Sequence, residues 1–128
     1  MKLLLDTHVV FWWLIDVSPL TPNAVAAITA KDNDVFVSVA NLWEMSIKVG
    51  IGKWPEAAAL VDSFESQVGS EHFSIVPILL THCRSAGLMT AEHRDPFDRL
   101  LAAQAIAEGL TLVTSDAKMA SLGAPCLW

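Results

Sequence analysis

Short apolar runs that stop abruptly at polar residues recur along the chain, separated by longer stretches in which apolar positions return every three to four residues. The first pattern is that of strands buried on both faces, the second that of helices packing on them. Lys2–Leu5 is the first run, stopped by Asp6 and Thr7, and residues 8–15 read as a short apolar helix. Thr21-Pro22 sets a capping hydroxyl before a proline at the first helical position, opening a helix to about Lys31. β-Branched and aromatic residues predict a second strand over Val35–Val39, followed by a helix over 40–49 that Gly50 and Gly52 end. Pro55 starts another helix, to about Val68; Phe73–Val76 is a third strand and Leu79–Met89 a helix. Asp95-Pro96 repeats the cap-then-proline signal, and the long helix after it ends at Gly109. Leu110–Val113 reads as a fourth strand, with Pro125–Trp128 available as a fifth. This alternation predicts an α/β fold in three layers, helices covering both faces of a central, mostly parallel sheet of four to five strands.

With 128 residues the chain has room for one domain, spanning 1–128. A hydrophobic fraction of 53% against 17% charged excludes disorder. Eight Lys+Arg against fourteen Asp+Glu leave a net charge of −6, which argues against a generic electrostatic binder of nucleic acid. If RNA or DNA is handled, divalent ions or a basic partner must supply the positive charge. Cys83 and Cys126 have neither disulfide-framework nor zinc-site spacing. The apolar run Val9–Ile15 falls far short of the ~20 residues of a membrane span, so the expectation is a cytoplasmic protein without membrane association. No nucleophilic triad and no Gly-rich phosphate loop is present in the pattern.

In open parallel sheets, ligands bind beyond the carboxyl ends of the strands. Asp6 ends the first strand there, Asp116 follows the fourth, Glu44 lies on the helix after the second, and Asp98 sits in the first turn of the Asp95-Pro96 helix. Four carboxylates brought to one edge resist joint ionisation unless a divalent cation neutralises them, and oxygen ligands suit Mg2+ or Mn2+. Such a site activates water for attack on a phosphodiester. Each acid also has a plainer use: Asp6 and Asp116 as helix caps, Asp98 as a partner of the helix dipole, Glu44 as the i,i+4 ion-pair partner of Lys48.

The stretches LLLDTHVVFWWL, SVANLWEMSIKVGIGKW and HRDPFDRLLAAQAIAEGLTLVTSDAKM occur in that order and cover most of the chain. Together they closely resemble PIN-domain proteins, specifically the VapC-type ribonuclease toxins of type II toxin-antitoxin pairs. The resemblance implies a PIN-like fold and places Asp6, Glu44, Asp98 and Asp116 at the family's metal-binding and catalytic acids, with Asp95 left as the cap. It sets Thr7 and Thr114 at hydroxyl positions that support the acids. The activity implied is Mg2+- or Mn2+-dependent cleavage of RNA; the partners implied are a cognate antitoxin protein that obstructs the site, and a second copy in a homodimer. Gly50 stands where many relatives carry a basic residue.

Trp12, Trp13, Trp43 and Trp54 are many large aromatics for a small chain; core packing explains most of them, and at least one is expected at an antitoxin or dimer interface. Lys48, Arg94 and Arg99 are candidates either for RNA phosphate or for surface ion pairs, as is His93, and His8 follows Asp6 closely. Two other readings fit part of the pattern. A receiver-like signalling domain shares the small α/β fold and bound Mg2+ but needs an acid pair after the first strand. A non-catalytic acidic protein would use the four carboxylates to dock a basic tail.

Overall fold

The computed structural model describes residues 1–128. Five strands, β1 (Lys2–Leu5), β2 (Asp34–Ser38), β3 (Ser74–Val76), β4 (Thr111–Val113) and β5 (Cys126–Leu127), form one sheet in the order β3-β2-β1-β4-β5. Every pairing is parallel. Six α-helices accompany them: α1 (Thr7–Ile15), α2 (Pro22–Thr29), α3 (Val39–Gly50), α4 (Ala58–Ser70), α5 (Leu80–Leu88) and α6 (Pro96–Glu108).

The alternation of side chains along a strand divides the core in two. Leu3, Leu5, Val35, Val37 and Val113 face one side, where Val9, Val10, Ile28, Leu60 and Phe64 cover them. Leu4 and Leu112 face the other, under Leu100, Leu101, Ala105, Met119 and Leu122. Leu3, Leu4 and Leu5 are all fully buried, which is why β1 reads as an unbroken apolar run. The three-layer α/β/α expectation therefore holds, with all five strands parallel.

The register aligns Leu5 with Val113 and Ser38 with Val76, so the strands finish at one edge and their successors, Asp6, α3 and Thr114, emerge side by side. Several boundaries differ from the sequence reading. Val39 is the first residue of α3 and not the end of β2: the Ser38 hydroxyl accepts the Ala40 N–H (2.9 Å) and Asn41 Oδ1 accepts the Ser38 N–H (2.6 Å), a reciprocal cap that outweighs the strand preference of a β-branched residue. Gly50 is the last helical residue, and Gly52, at φ +75°, makes the turn after it. α2 stops at Thr29, short of Lys31. Residues 55–57 form a 3₁₀ turn before α4, which bends at Ser63. A further 3₁₀ helix over Ala117–Leu122, capped by Asp116, has no periodic apolar signature to reveal it. No helix is long and apolar enough to cross a membrane.

Candidate metal centre

Asp6 sits at the carboxyl end of the central strand, its N–H donating to Val113 O at 3.0 Å across to β4. Its Oδ1 accepts the Thr7 N–H at 2.7 Å, and Oδ2 accepts the Thr114 hydroxyl at 2.7 Å. That same hydroxyl oxygen accepts the Asp116 N–H at 3.0 Å, which links the acid after β4 to the acid after β1. Asn41, buried at the start of α3, completes the scaffold by donating to Leu5 O at 3.3 Å and to the Thr7 hydroxyl at 3.0 Å. Of the two hydroxyls, that of Thr114 bonds Asp6 directly, whereas that of Thr7 accepts from Asn41 and only the Thr7 N–H reaches Asp6. Asn41 escaped the sequence reading, although the Ser38-x-x-Asn41 spacing is a capping-box pattern that points to it.

Glu44 projects from the second turn of α3 and is 5% exposed. One of its oxygens, Oε2, accepts from Lys48 at 2.8 Å; the other, Oε1, is buried with no hydrogen-bond partner. A buried unpaired carboxylate oxygen is costly unless something positive meets it. Asp98, in the first turn of α6, pairs through Oδ2 with His93 Nε2 at 2.6 Å. Asp95 is the cap, its Oδ1 accepting the N–H groups of Phe97 (2.9 Å) and Asp98 (3.0 Å).

The acids also perturb one another's charge. Burial, with the charges of Asp95, Asp6 and Glu44, pushes the Asp98 carboxyl up to about 6 against the opposing bond from His93. Burial also raises the Asp6 carboxyl, with the Glu44 charge adding to it against the bonds from Thr114 and Thr7. One ligating atom each of His93, Asp98 and Asp116 lies within 4.8 Å of the other two. Asp98 and Asp116 share that group with His93, and Thr114 links Asp116 to Asp6; the plainer uses are seen as well, Asp6 and Asp116 capping the helical segments after them and Glu44 holding Lys48. Mutually repelling carboxyls, an unpartnered buried oxygen and a predominantly oxygen donor set fit a divalent cation.

The neighbouring basic residues divide into engaged and available. Arg99 donates from Nε to His93 O (2.9 Å), from Nη1 to Met89 O (2.9 Å) and from Nη2 to Ala91 O (2.8 Å), so its guanidinium straps the segment before α6. Lys48 is held by Glu44 and lies 5.6 Å from the centre of the Trp54 ring. Arg94 and Lys118 are exposed and line, with His93, a cleft of about 350 Å³. His8 stacks on Trp54 at 4.8 Å. Trp12 and Trp13 are half-buried against different neighbours, Trp128 and Phe73. Trp43, by contrast, is 54% exposed.

A family model describing the PIN domain matches residues 3–125. The chain belongs to the PIN domain family. It is 29% identical over 129 residues to "Ribonuclease VapC22" of Mycobacterium tuberculosis (strain ATCC 25618 / H37Rv), a match covering 92% of this chain and 89% of that protein. Among solved structures, VapBC2 from Rickettsia felis, bound to a DNA fragment from the promoter, superposes with a TM-score of 0.71 at 19% identity, covering 99% of this chain and 98% of that one. VapBC-1 from nontypeable Haemophilus influenzae gives 0.67 at 12% identity, covering 99% and 97%. FitAcB from Neisseria gonorrhoeae gives 0.61 at 20%, covering 98% and 96%. The PIN-domain family that the three sequence stretches resemble is thus the family to which the chain belongs.

Proposed function

We propose that this PIN domain, spanning 1–128, is a metal-dependent endoribonuclease that acts as the toxin of a toxin-antitoxin pair. The observation that supports the reading is the buried Glu44 oxygen left without a protein partner, beside Asp98 and Asp116 whose ligating atoms lie within 4.8 Å of one another and Asp6 joined to Asp116 through Thr114. The ribonuclease named among its relatives supports the choice of RNA. These four acids would hold Mg2+ or Mn2+. When bound, such an ion lowers the pKa of water and stabilises charge on the attacked phosphate. Thr114 orients Asp6 and, through the Asp116 N–H, the loop after β4, while Thr7 and Asn41 fix Asp6 from the other side. Exposed Arg94 and Lys118 would meet RNA phosphates, because Lys48 and Arg99 are already engaged.

The choice of partners rests on the surface and the relatives. Trp43, Ile47 and Ile51 stand one turn apart along and just beyond α3, at 54, 40 and 61% exposure, an apolar stripe suited to the antitoxin or to a second copy in a homodimer. The VapBC neighbours are toxin-antitoxin complexes, which favours a cognate antitoxin as a partner of this chain. The compartment that suits such an activity is the cytoplasm.

The test is incubation of the purified, antitoxin-free chain with a varied pool of single-stranded RNA, with and without EDTA. Cleavage that EDTA abolishes is expected. Asp6→Asn and Asp98→Asn should fold normally yet lose more than about a hundredfold in rate, since even partners behind a metal ligand cost 10–100-fold. Wild-type rates in either variant, or products that persist in EDTA, would refute the assignment.

A further inference from the structure

The acid centre has a neighbour of different chemistry. His93 lies outside α6, two residues before its cap, yet its Nε2 is 2.6 Å from Asp98 Oδ2 and its side chain is largely buried there. Its ring, Asp98 and Asp116 present ligating atoms that are all within 4.8 Å of one another. Two donors about 2.1 Å from a shared ion can be at most about 4.2 Å apart, so small side-chain rotations suffice to bring all three onto one centre.

The position of His93 is also built rather than incidental. Arg99 commits its donors to the main-chain oxygens of Met89, Ala91 and His93, so the segment that carries the imidazole is strapped to the first turn of α6. A cation that would otherwise compete for the acids is thereby used to aim a neutral-capable nitrogen donor at them. Independently, the unpartnered Glu44 Oε1, on a side chain more than nine-tenths buried, shows that the same neighbourhood calls for a positive centre.

We propose that His93 is a nitrogen ligand of the divalent-ion site, exchanging its hydrogen bond with Asp98 for a bond to the ion and biasing the site toward Mn2+ over Mg2+. Imidazole is a softer donor than carboxylate and is accepted more readily by first-row divalent ions, even by Mn2+ at the weak end of their series, than by Mg2+, which keeps to carboxylate and water oxygen. The inference rests on the metal-site reading of the four acids. It concerns which atoms hold the ion, not whether RNA is cut.

Pulsed electron paramagnetic resonance of the full chain loaded with Mn2+ tests it directly. Wild type should show modulation from a directly coordinated 14N nucleus, shifted by 15N-histidine labelling, lost in His93→Gln and kept in His8→Gln. Calorimetry should find Mn2+ binding weakened about tenfold in His93→Gln, with Mg2+ binding changed less than about twofold. Mn2+ bound without nitrogen modulation in wild type, or equal losses for both ions, would overturn the proposal and leave His93 as an orienting partner of Asp98. If His93→Gln fails to fold, 15N-histidine labelling of the His8→Gln variant gives the same decision. Failure of wild type to bind Mn2+ at all would overturn the metal site itself.

Discussion

Asp6 and Asp116 each follow a strand and cap the helical segment after them, and Glu44 holds Lys48, so three of the four carboxylates spend an oxygen on the fold. Asp98, pushed up to about 6 by burial and by neighbouring carboxylates, binds its proton more tightly in the folded chain than at the ordinary value of 3.8. Its contribution to stability is therefore fully present below about 3.8 and is lost as pH rises through about 6. Asp6 is raised too, and acts with the same sign. In EDTA, Tm should carry a declining component as pH climbs from about 4 to about 7, visible as a difference from Asp98→Asn, in which it should be reduced. A divalent ion competes with those protons, so its affinity should rise across the same interval, with proton release detectable by calorimetry in buffers of different ionisation enthalpy. A metal affinity that stays flat across that interval would contradict this.

At the scale of elements, small polar side chains join pieces that the apolar pattern only lays side by side. Asn41 ties the start of α3 to the end of β1, and the buried Ser38 hydroxyl donates to Gln104 Oε1 at 2.6 Å, tying α3 to α6. Asn41→Ala strips the Ser38 N–H and Leu5 O of partners in a buried place. It should cost about 1–3 kcal/mol, read from the denaturant midpoint, with a further loss of cleavage rate because Thr7 is released. Arg99→Met should leave the sheet intact but speed hydrogen exchange over 89–95, with Lys restoring little because an ammonium lacks the planar fork. These links were also the least legible from sequence. Val39 reads as strand by propensity, and only the Ser38 and Asn41 bonds make it helical. The pairing of His93 with Asp98 crosses a helix start and obeys no period; it exists because Arg99 bends the preceding segment back. The strands themselves were legible, since burial on both faces leaves uninterrupted apolar runs such as Leu3–Leu5.

For the molecule as a whole, the shared edge of Asp6 and Asp116 was legible because a parallel sheet sends every strand end to one side, which the alternation of elements already specifies. With net charge −6, the protein gains from any cation it binds only when folded. Mn2+ at a hundred times its Kd should add about 2.7 kcal/mol. For a chain of this size that is a rise in Tm of roughly 10 °C, to be checked by calorimetry with Asp6→Asn as the variant that shows far less. The sheet order has one more effect. β1 is laid down first but is flanked by β4, and the Thr114 hydroxyl that grips Asp6 comes 108 positions later. A nascent chain emerging from the ribosome cannot close its central strand, nor bring Asp116 to Asp6, before β4 has been translated. Under the proposed function, fragments that stop short of β4 should therefore cleave no RNA, because Thr114 and Asp116 have not yet been made to join Asp6.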